Sequence, residues 1–151
     1  MELGIEGKHI LVSGASQGIG LAIAEAFAAE GASVALAARN GPQLEQVKAK
    51  LSGKGSHVCL VGDMTREEDI IRVLDETNRA FGGLDALILN VGGNAATFGS
   101  PAEISHWHRV SELNFAGSAV TASVAAEFLK KSGGNIIFIT SIAGMEDLGA
   151  P

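Results

Sequence analysis

The stretch Ser13-Gly14-Ala15-Ser16-Gln17-Gly18-Ile19-Gly20 constrains the fold more than any other part of the chain. An apolar run, His9-Ile10-Leu11-Val12, precedes it and is too short for a helix. Ile19, Ile23 and Phe27 follow at intervals of four, with alanines at 22, 24, 26, 28 and 29 among them. That is the period of one helical face, kept slim by alanine, with Gly31 as a C-terminal cap. A strand that breaks on glycine and turns directly into a helix opens a parallel α/β unit, because parallel strands need such a crossover. Glycine makes up 20 of the 151 residues and shows no three-residue period, so the excess serves turns and close backbone approaches.

The same alternation repeats to the end of the chain. Residues 33–38 form a second apolar run, and residues 41–51 read as a second helix through Leu44, Val47 and Leu51, with Pro42 in its first turn. Residues 58–61 are a third run. Thr65 reads as the N-cap of a helix with acids in its first turn, running through Ile70, Ile71, Val73 and Leu74 towards Phe81 and closing at Gly82-Gly83. Residues 86–89 are a fourth run. After a loop over residues 90–100, Pro101 is predicted to begin a short helix. Val110, Leu113, Gly117, Val120, Val124 and Phe128 mark a long one that stops at Gly133-Gly134. Residues 136–139 are the fifth run. The runs are apolar on both faces, which predicts parallel strands covered by helices on both sides. Right-handed crossovers then predict a doubly wound, Rossmann-type α/β sheet of about five strands in the order 3-2-1-4-5. It forms a single domain over residues 1–151.

Composition narrows the function. Hydrophobic residues at 46% are enough for a core and exclude bulk disorder. Eleven basic residues against 17 acidic ones give a net charge of −6, which argues against a nucleic-acid partner. No run approaches the roughly 20 apolar residues needed to cross a bilayer, and the N-terminus lacks a signal-peptide pattern. A cytoplasmic setting without a membrane partner is expected. Cys59, the one cysteine, cannot form an internal disulfide, which fits a reducing compartment. No residues are assigned to a metal.

The glycine turn carries chemistry as well as geometry. Gly14 makes the exit from the strand, Gly18 lets the backbone approach a pyrophosphate, and Gly20 lets the helix pack closely. The helix start offers unpaired N–H groups and a partial positive charge, and Ser16 adds a hydroxyl. The alternative is a merely tight strand-to-helix turn.

The Gly-x-x-x-Gly-x-Gly spacing of 14, 18 and 20 resembles the cofactor loop of the short-chain dehydrogenase/reductase family, and the likeness runs along the whole chain. In the loop it covers Gly14, Ser16, Gln17, Gly18, Ile19 and Gly20. Asp63, in Gly62-Asp63-Met64-Thr65, matches the family's adenine-contacting aspartate, with Met64 beside it; the alternative is an aspartate that simply begins a helix. Asn90-Val91-Gly92-Gly93 resembles the Asn-Asn-Ala-Gly turn. Two residues depart from it. Val91 stands for alanine, and Leu89 takes the place of the first asparagine, whose side chain usually braces the sheet. Asn114 matches the family's helix asparagine, Trp107 a common tryptophan and Ser141 the catalytic serine.

The resemblance implies hydride transfer between a nicotinamide cofactor and a small-molecule carbonyl or alcohol. Ser141 would hold the substrate oxygen and Asn114 would position a water; the alternatives are a hydroxyl that caps the strand end and, compatible with the water role, an asparagine that bonds backbone and bends its helix. The proton donor would be the tyrosine of a Tyr-x-x-x-Lys motif. The chain contains no tyrosine. That motif would fall just past Pro151, so the chain is expected to be the inactive N-terminal portion of a longer, homo-oligomeric reductase. The alternative is a non-catalytic NADP-binding or regulatory module of the same fold. Substrate identity stays open, a 3-oxoacyl thioester being favoured only by its commonness.

Charge selects the dinucleotide. Arg39 lies 19 residues after Gly20, close to where such folds meet the adenosine ribose. An acid there would accept hydrogen bonds from both ribose hydroxyls and repel a 2′-phosphate. Ala37-Ala38-Arg39-Asn40 offers no acid, and arginine binds phosphate well through its planar fork. NADP is therefore expected over NAD, with Arg39 and Asn40 at the ribose. The alternative is an ordinary solvated charge at Arg39.

Overall fold

The computed structural model describes residues 3–93, 103–142 and 145. Within them, five parallel strands, β1 (His9–Ser13), β2 (Ser33–Ala38), β3 (His57–Val61), β4 (Ala86–Leu89) and β5 (Asn135–Phe138), lie in the order β3-β2-β1-β4-β5. The helices are α1 (Gly18–Ala29), α2 (Gly41–Lys48), α3 (Glu67–Phe81), α4 (Ile104–Ser111) and α5 (Gly117–Ser132). A π-helical turn over Glu112–Ala116 joins the last two. The expected fold class and strand order are those observed. Pro101 and residues 94–100 lie outside the described residues.

The two-residue period of a strand sends alternate side chains to opposite faces. Ile10, Val12, Val34, Leu36 and Ile88 meet α1 and α2 through Ala24, Ala28, Leu44 and Val47. Leu11, Ala35, Ala37, Leu87 and Leu89 meet α3 and α5 through Ile70, Val73, Leu74, Ala125 and Leu129. Both faces of the central strands are buried, which is why no polar alternation appears in their sequence. Each fully buried leucine, Leu11 or Leu36 for example, contributes about 2 kcal/mol through burial. At the sheet edge the pattern weakens: Ile137 and Phe138 of β5 remain 45% and 49% exposed.

Three local expectations change. Thr65 does not cap α3; its N–H and hydroxyl both donate to Asp63 Oδ1, at 3.0 and 2.8 Å, and Arg66 takes the cap position instead. The second helix ends at Lys48 rather than 51. Beyond Ala49 the chain tightens into short-range turns, Lys50 N to Val47 O and Leu51 N to Lys48 O. The long helix starting near Val110 is not uniform, because the π turn interrupts it at Asn114.

His57, at the start of β3, accepts a hydrogen bond from Val34 N–H through Nδ1 at 3.3 Å. Burial pushes its pKa below the ordinary 6.5. The unfolded chain therefore takes up this proton first as pH falls. The stabilisation is complete above pH 6.5 and is lost as pH drops through that value towards the lower folded one. Thermal melting should show this loss in the wild-type chain, and His57→Gln should flatten that part of the profile. A variant profile superimposable on the wild type would refute it.

Candidate functional site

The strand order reverses between β1 and β4, because the chain leaves β1 towards β2 on one side and later crosses to β4 on the other. In open α/β sheets ligands bind in the crevice outside the carboxyl ends at such a point. Here the crevice has a volume of about 970 Å³. Gly14, Ser16, Gln17, Gly18 and Ile19 line it from the glycine turn. Arg39 and Asn40 close it beyond β2, Asp63 and Met64 beyond β3, and Asn90 and Gly92 beyond β4. Asn114 of the π turn and Ser141, after β5, complete the wall.

The turn is built from backbone conformations that side chains resist. Gly14 and Gly18 have φ of +65° and +58°, in the left-handed region. Ala15 N–H donates to Ala37 O at 3.2 Å, and Asn90 Nδ2 donates to Gly14 O at 3.4 Å, tying the turn to β2 and β4. Gly20 is the one predicted loop residue that does not line the crevice. It sits behind the turn, where a Cβ would lie 2.3 Å from Gly14 O and 2.6 Å from Asn90 Nδ2. The need for glycine there is thus close approach of the helix to the turn. At the N-cap of α1, Gln17 is extended and no side-chain hydrogen bond caps the helix. The first amides of a helix have no intrahelical partner, so this end suits an anion. A Cβ on Gly18 would meet nothing within 4 Å, so the space over the turn is free for a ligand.

In the sequence Ser13 stood only as the first residue of the glycine turn. The structure gives it a second task. Its buried hydroxyl donates to Ile88 O at 3.1 Å and accepts from Asn90 N–H at 3.0 Å. Ser13 thus braces β1 against β4 where Leu89, buried in the core, cannot. The available signal was a polar residue closing a fully apolar strand. Gly117 was also read only as part of a periodic face. A Cβ there would lie 2.3 Å from Met64 O, so this glycine admits α5 against the β3–α3 turn.

Asn114 uses its amide on backbone. Oδ1 accepts from Gly93 N–H at 2.9 Å, while Nδ2 donates to Gly93 O at 2.9 Å and to Val110 O at 3.0 Å. It therefore pins the loop after β4 to the π turn. Asn40 Oδ1 caps α2 by accepting from Gln43 N–H at 3.2 Å. The charged groups at the β2–β3 end of the crevice differ sharply. Arg66 pairs with Glu68, and Arg72 pairs with Asp69 and Glu76. Arg39 is exposed and makes no hydrogen bond or ion pair among the described residues.

These features fit a dinucleotide: a crevice of sufficient volume, an uncapped helix start under open space, and an uncommitted cation at one end. An open doubly wound sheet with a glycine turn over its switch point defines a class of nucleotide-cofactor proteins. Within that class the chain belongs to the short-chain dehydrogenase family, whose model, described as short chain dehydrogenase, matches residues 8–150.

The chain is 36% identical over 141 residues to 11-beta-hydroxysteroid dehydrogenase A of Arachis hypogaea, covering 91% of this chain and 40% of that protein. It is 37% identical over 141 residues to glucose 1-dehydrogenase of Gluconobacter oxydans, covering 90% and 53%. Among solved structures, L-sorbose reductase from Gluconobacter frateurii, complexed with NADPH and L-sorbose, superposes with a TM-score of 0.86 at 32% identity, covering 94% and 55%. A 7 alpha-hydroxysteroid dehydrogenase complexed with NADH and 7-oxo glycochenodeoxycholic acid superposes at 0.87 and 29% identity, covering 95% and 56%. The chain thus spans about half the length of the relatives it matches.

Proposed function

We propose that the protein to which this chain belongs is an NADP-dependent oxidoreductase acting on a small ketone or secondary alcohol. One observation carries the cofactor choice: Arg39, which has no partner among the described residues, follows β2 at the adenosine end of the crevice, and no acid does. Family membership cannot choose, since one structural relative holds NADPH and another NADH. The ketone substrate is supported by L-sorbose and the 7-oxo bile acid in those relatives, and by the hydroxysteroid and sugar dehydrogenases among the others. A 3-oxoacyl thioester belongs to the same chemical class.

The nicotinamide, when bound, supplies or accepts the hydride. The chain's own part is binding and orientation. The uncapped amides of α1 hold the diphosphate, Arg39 and Asn40 the phosphorylated ribose, and Asp63 with Met64 the adenine. Ser141 holds the substrate oxygen. Asn114 acts by fixing the π turn and the Gly92-Gly93 loop against each other, since its amide groups are committed to backbone. The 151 residues contain no tyrosine, so the tyrosine proton donor implied by the resemblance is not among them. The second reading is a non-catalytic NADP-binding or regulatory module of the same fold. A homo-oligomer and a cytoplasmic setting complete the proposal; no helix among the described residues is long and apolar enough to cross a membrane.

Calorimetric titration with NADPH and NADH tests the cofactor assignment, and equal affinities would defeat it. The purified chain is expected to bind NADPH weakly and to leave it unoxidised in the presence of ketones. Sustained loss of absorbance at the reduced nicotinamide band would contradict that expectation.

A further inference from the structure

We infer that Asp69 and Arg72 of α3 are positioning residues for the adenine end of the crevice, acting by holding the backbone of the β3–α3 turn on both sides of Gly62. The inference rests on the reading of the crevice as a dinucleotide site. An exposed ion pair three residues apart on a helix normally contributes little. This pair does more, because each partner also binds backbone outside its helix. Asp69 Oδ2 accepts from Asp63 N–H at 2.8 Å. Arg72 Nη2 donates to Val61 O at 2.8 Å and to Asp69 Oδ1 at 2.5 Å. The residue before Gly62 is therefore tied to Arg72 and the residue after it to Asp69, and the two side chains are paired with each other.

The packing agrees. A Cβ on buried Gly62 would lie 3.1 Å from Val73 Cγ2 and 3.4 Å from both Arg72 Nη2 and Asp69 Cβ, so α3 packs closely over this glycine with the clamp beside it. Gly62 N–H in turn donates to Ala38 O at 3.0 Å, which joins the clamped turn to the end of β2 next to Arg39. Asp63 Oδ1 is committed to Thr65, while Oδ2 makes no hydrogen bond among the described residues. Fixing the Asp63 backbone thus fixes the direction of its remaining oxygen. The Asp63 amide first, and Arg72 second, hold the Asp69 carboxyl below the usual range, so the acceptor stays ionised at neutral pH. With Arg72 committed to this clamp and Arg66 to Glu68, Arg39 is left to meet a phosphate.

The test uses the 151-residue chain, with 2′,5′-ADP as a probe of the adenosine end and inorganic pyrophosphate as a probe of the glycine turn. Asp69→Ala is expected to weaken 2′,5′-ADP about 10-fold and to accelerate hydrogen exchange at the Asp63 amide. Pyrophosphate affinity should stay within about twofold. Asp69→Asn, which keeps an acceptor oxygen, should recover most of the 2′,5′-ADP affinity; a role confined to stability would not distinguish the two probes. Unchanged 2′,5′-ADP affinity in both variants overturns the positioning role alone. Absence of 2′,5′-ADP binding by the wild-type chain overturns the NADP-site reading on which this inference rests, and the clamp's role falls with it.

Discussion

Arg39→Ala is expected to lower NADPH affinity by about 10- to 100-fold and to leave NADH affinity within about twofold. A charge-assisted hydrogen bond to phosphate contributes about 1.5–3 kcal/mol, and every 1.4 kcal/mol is roughly tenfold in affinity. Arg39 is exposed and has no partner among the described residues, so its removal leaves no buried group among them stranded and melting of the unliganded chain should hardly change. The loss should also diminish with added salt, because the interaction lies near the surface. Arg39→Asp should go further: a carboxylate at this position repels the 2′-phosphate and accepts from both hydroxyls of an unmodified ribose, so preference should pass to NADH. Parallel titrations of the two cofactors on wild type and both variants check this. If Arg39→Ala binds both as wild type does, the arginine is an ordinary surface charge and the NADP assignment fails.

Gly20→Ala should destabilise the chain by about 2–4 kcal/mol and remove detectable cofactor binding. Overpacking a fitted site typically costs about 1–3 kcal/mol. Here the intruding methyl would lie 2.3 Å from the Gly14 carbonyl oxygen, which is backbone and cannot rotate away. Either α1 or the turn must move. The turn is itself held by the Ala15–Ala37 and Asn90–Gly14 hydrogen bonds. For a chain of this length the melting temperature should fall by roughly 6–15 °C. Gly18→Ala gives the contrast. Its Cβ would meet no atom within 4 Å, so its penalty should come from the positive φ and from crowding a bound diphosphate. A Gly20→Ala chain that melts within 2 °C of wild type and still binds NADPH would show that the close approach is not needed.

Much of the site was legible because it depends on local sequence. A glycine triplet between an apolar run and an alanine-spaced helix specifies both the turn and the uncapped helix start that suits an anion, since each follows from backbone geometry over a few residues. The position of Arg39 was legible for a related reason. In a βαβ unit the lengths of helix and strand carry the chain back to the same end of the sheet, so a count of residues becomes a place in space. Asp63, Asn90 and Ser141 follow the later apolar runs in the same way, and all three line the one crevice.

Other features depend on partners distant in the chain, and no local pattern encodes them. The roles of Ser13 and of the Asp69–Arg72 clamp appear only once β1 lies beside β4 and α3 lies over Gly62. Thr65 has the local signature of a helix cap, yet its amide and hydroxyl both donate to Asp63 Oδ1 within the turn, and Arg66 takes the cap position. The π turn at Asn114 is a similar case: a helical period was readable, but the extra residue in the turn accompanies hydrogen bonds to Gly93, 21 positions away. Periodicity and backbone preference act over a few residues, so the sequence alone determined the main elements, their order and the strand ends at which the crevice opens. Hydrogen bonds between segments tens of residues apart exist only in the packed chain, so tertiary structure alone decided which side chains hold those ends in place.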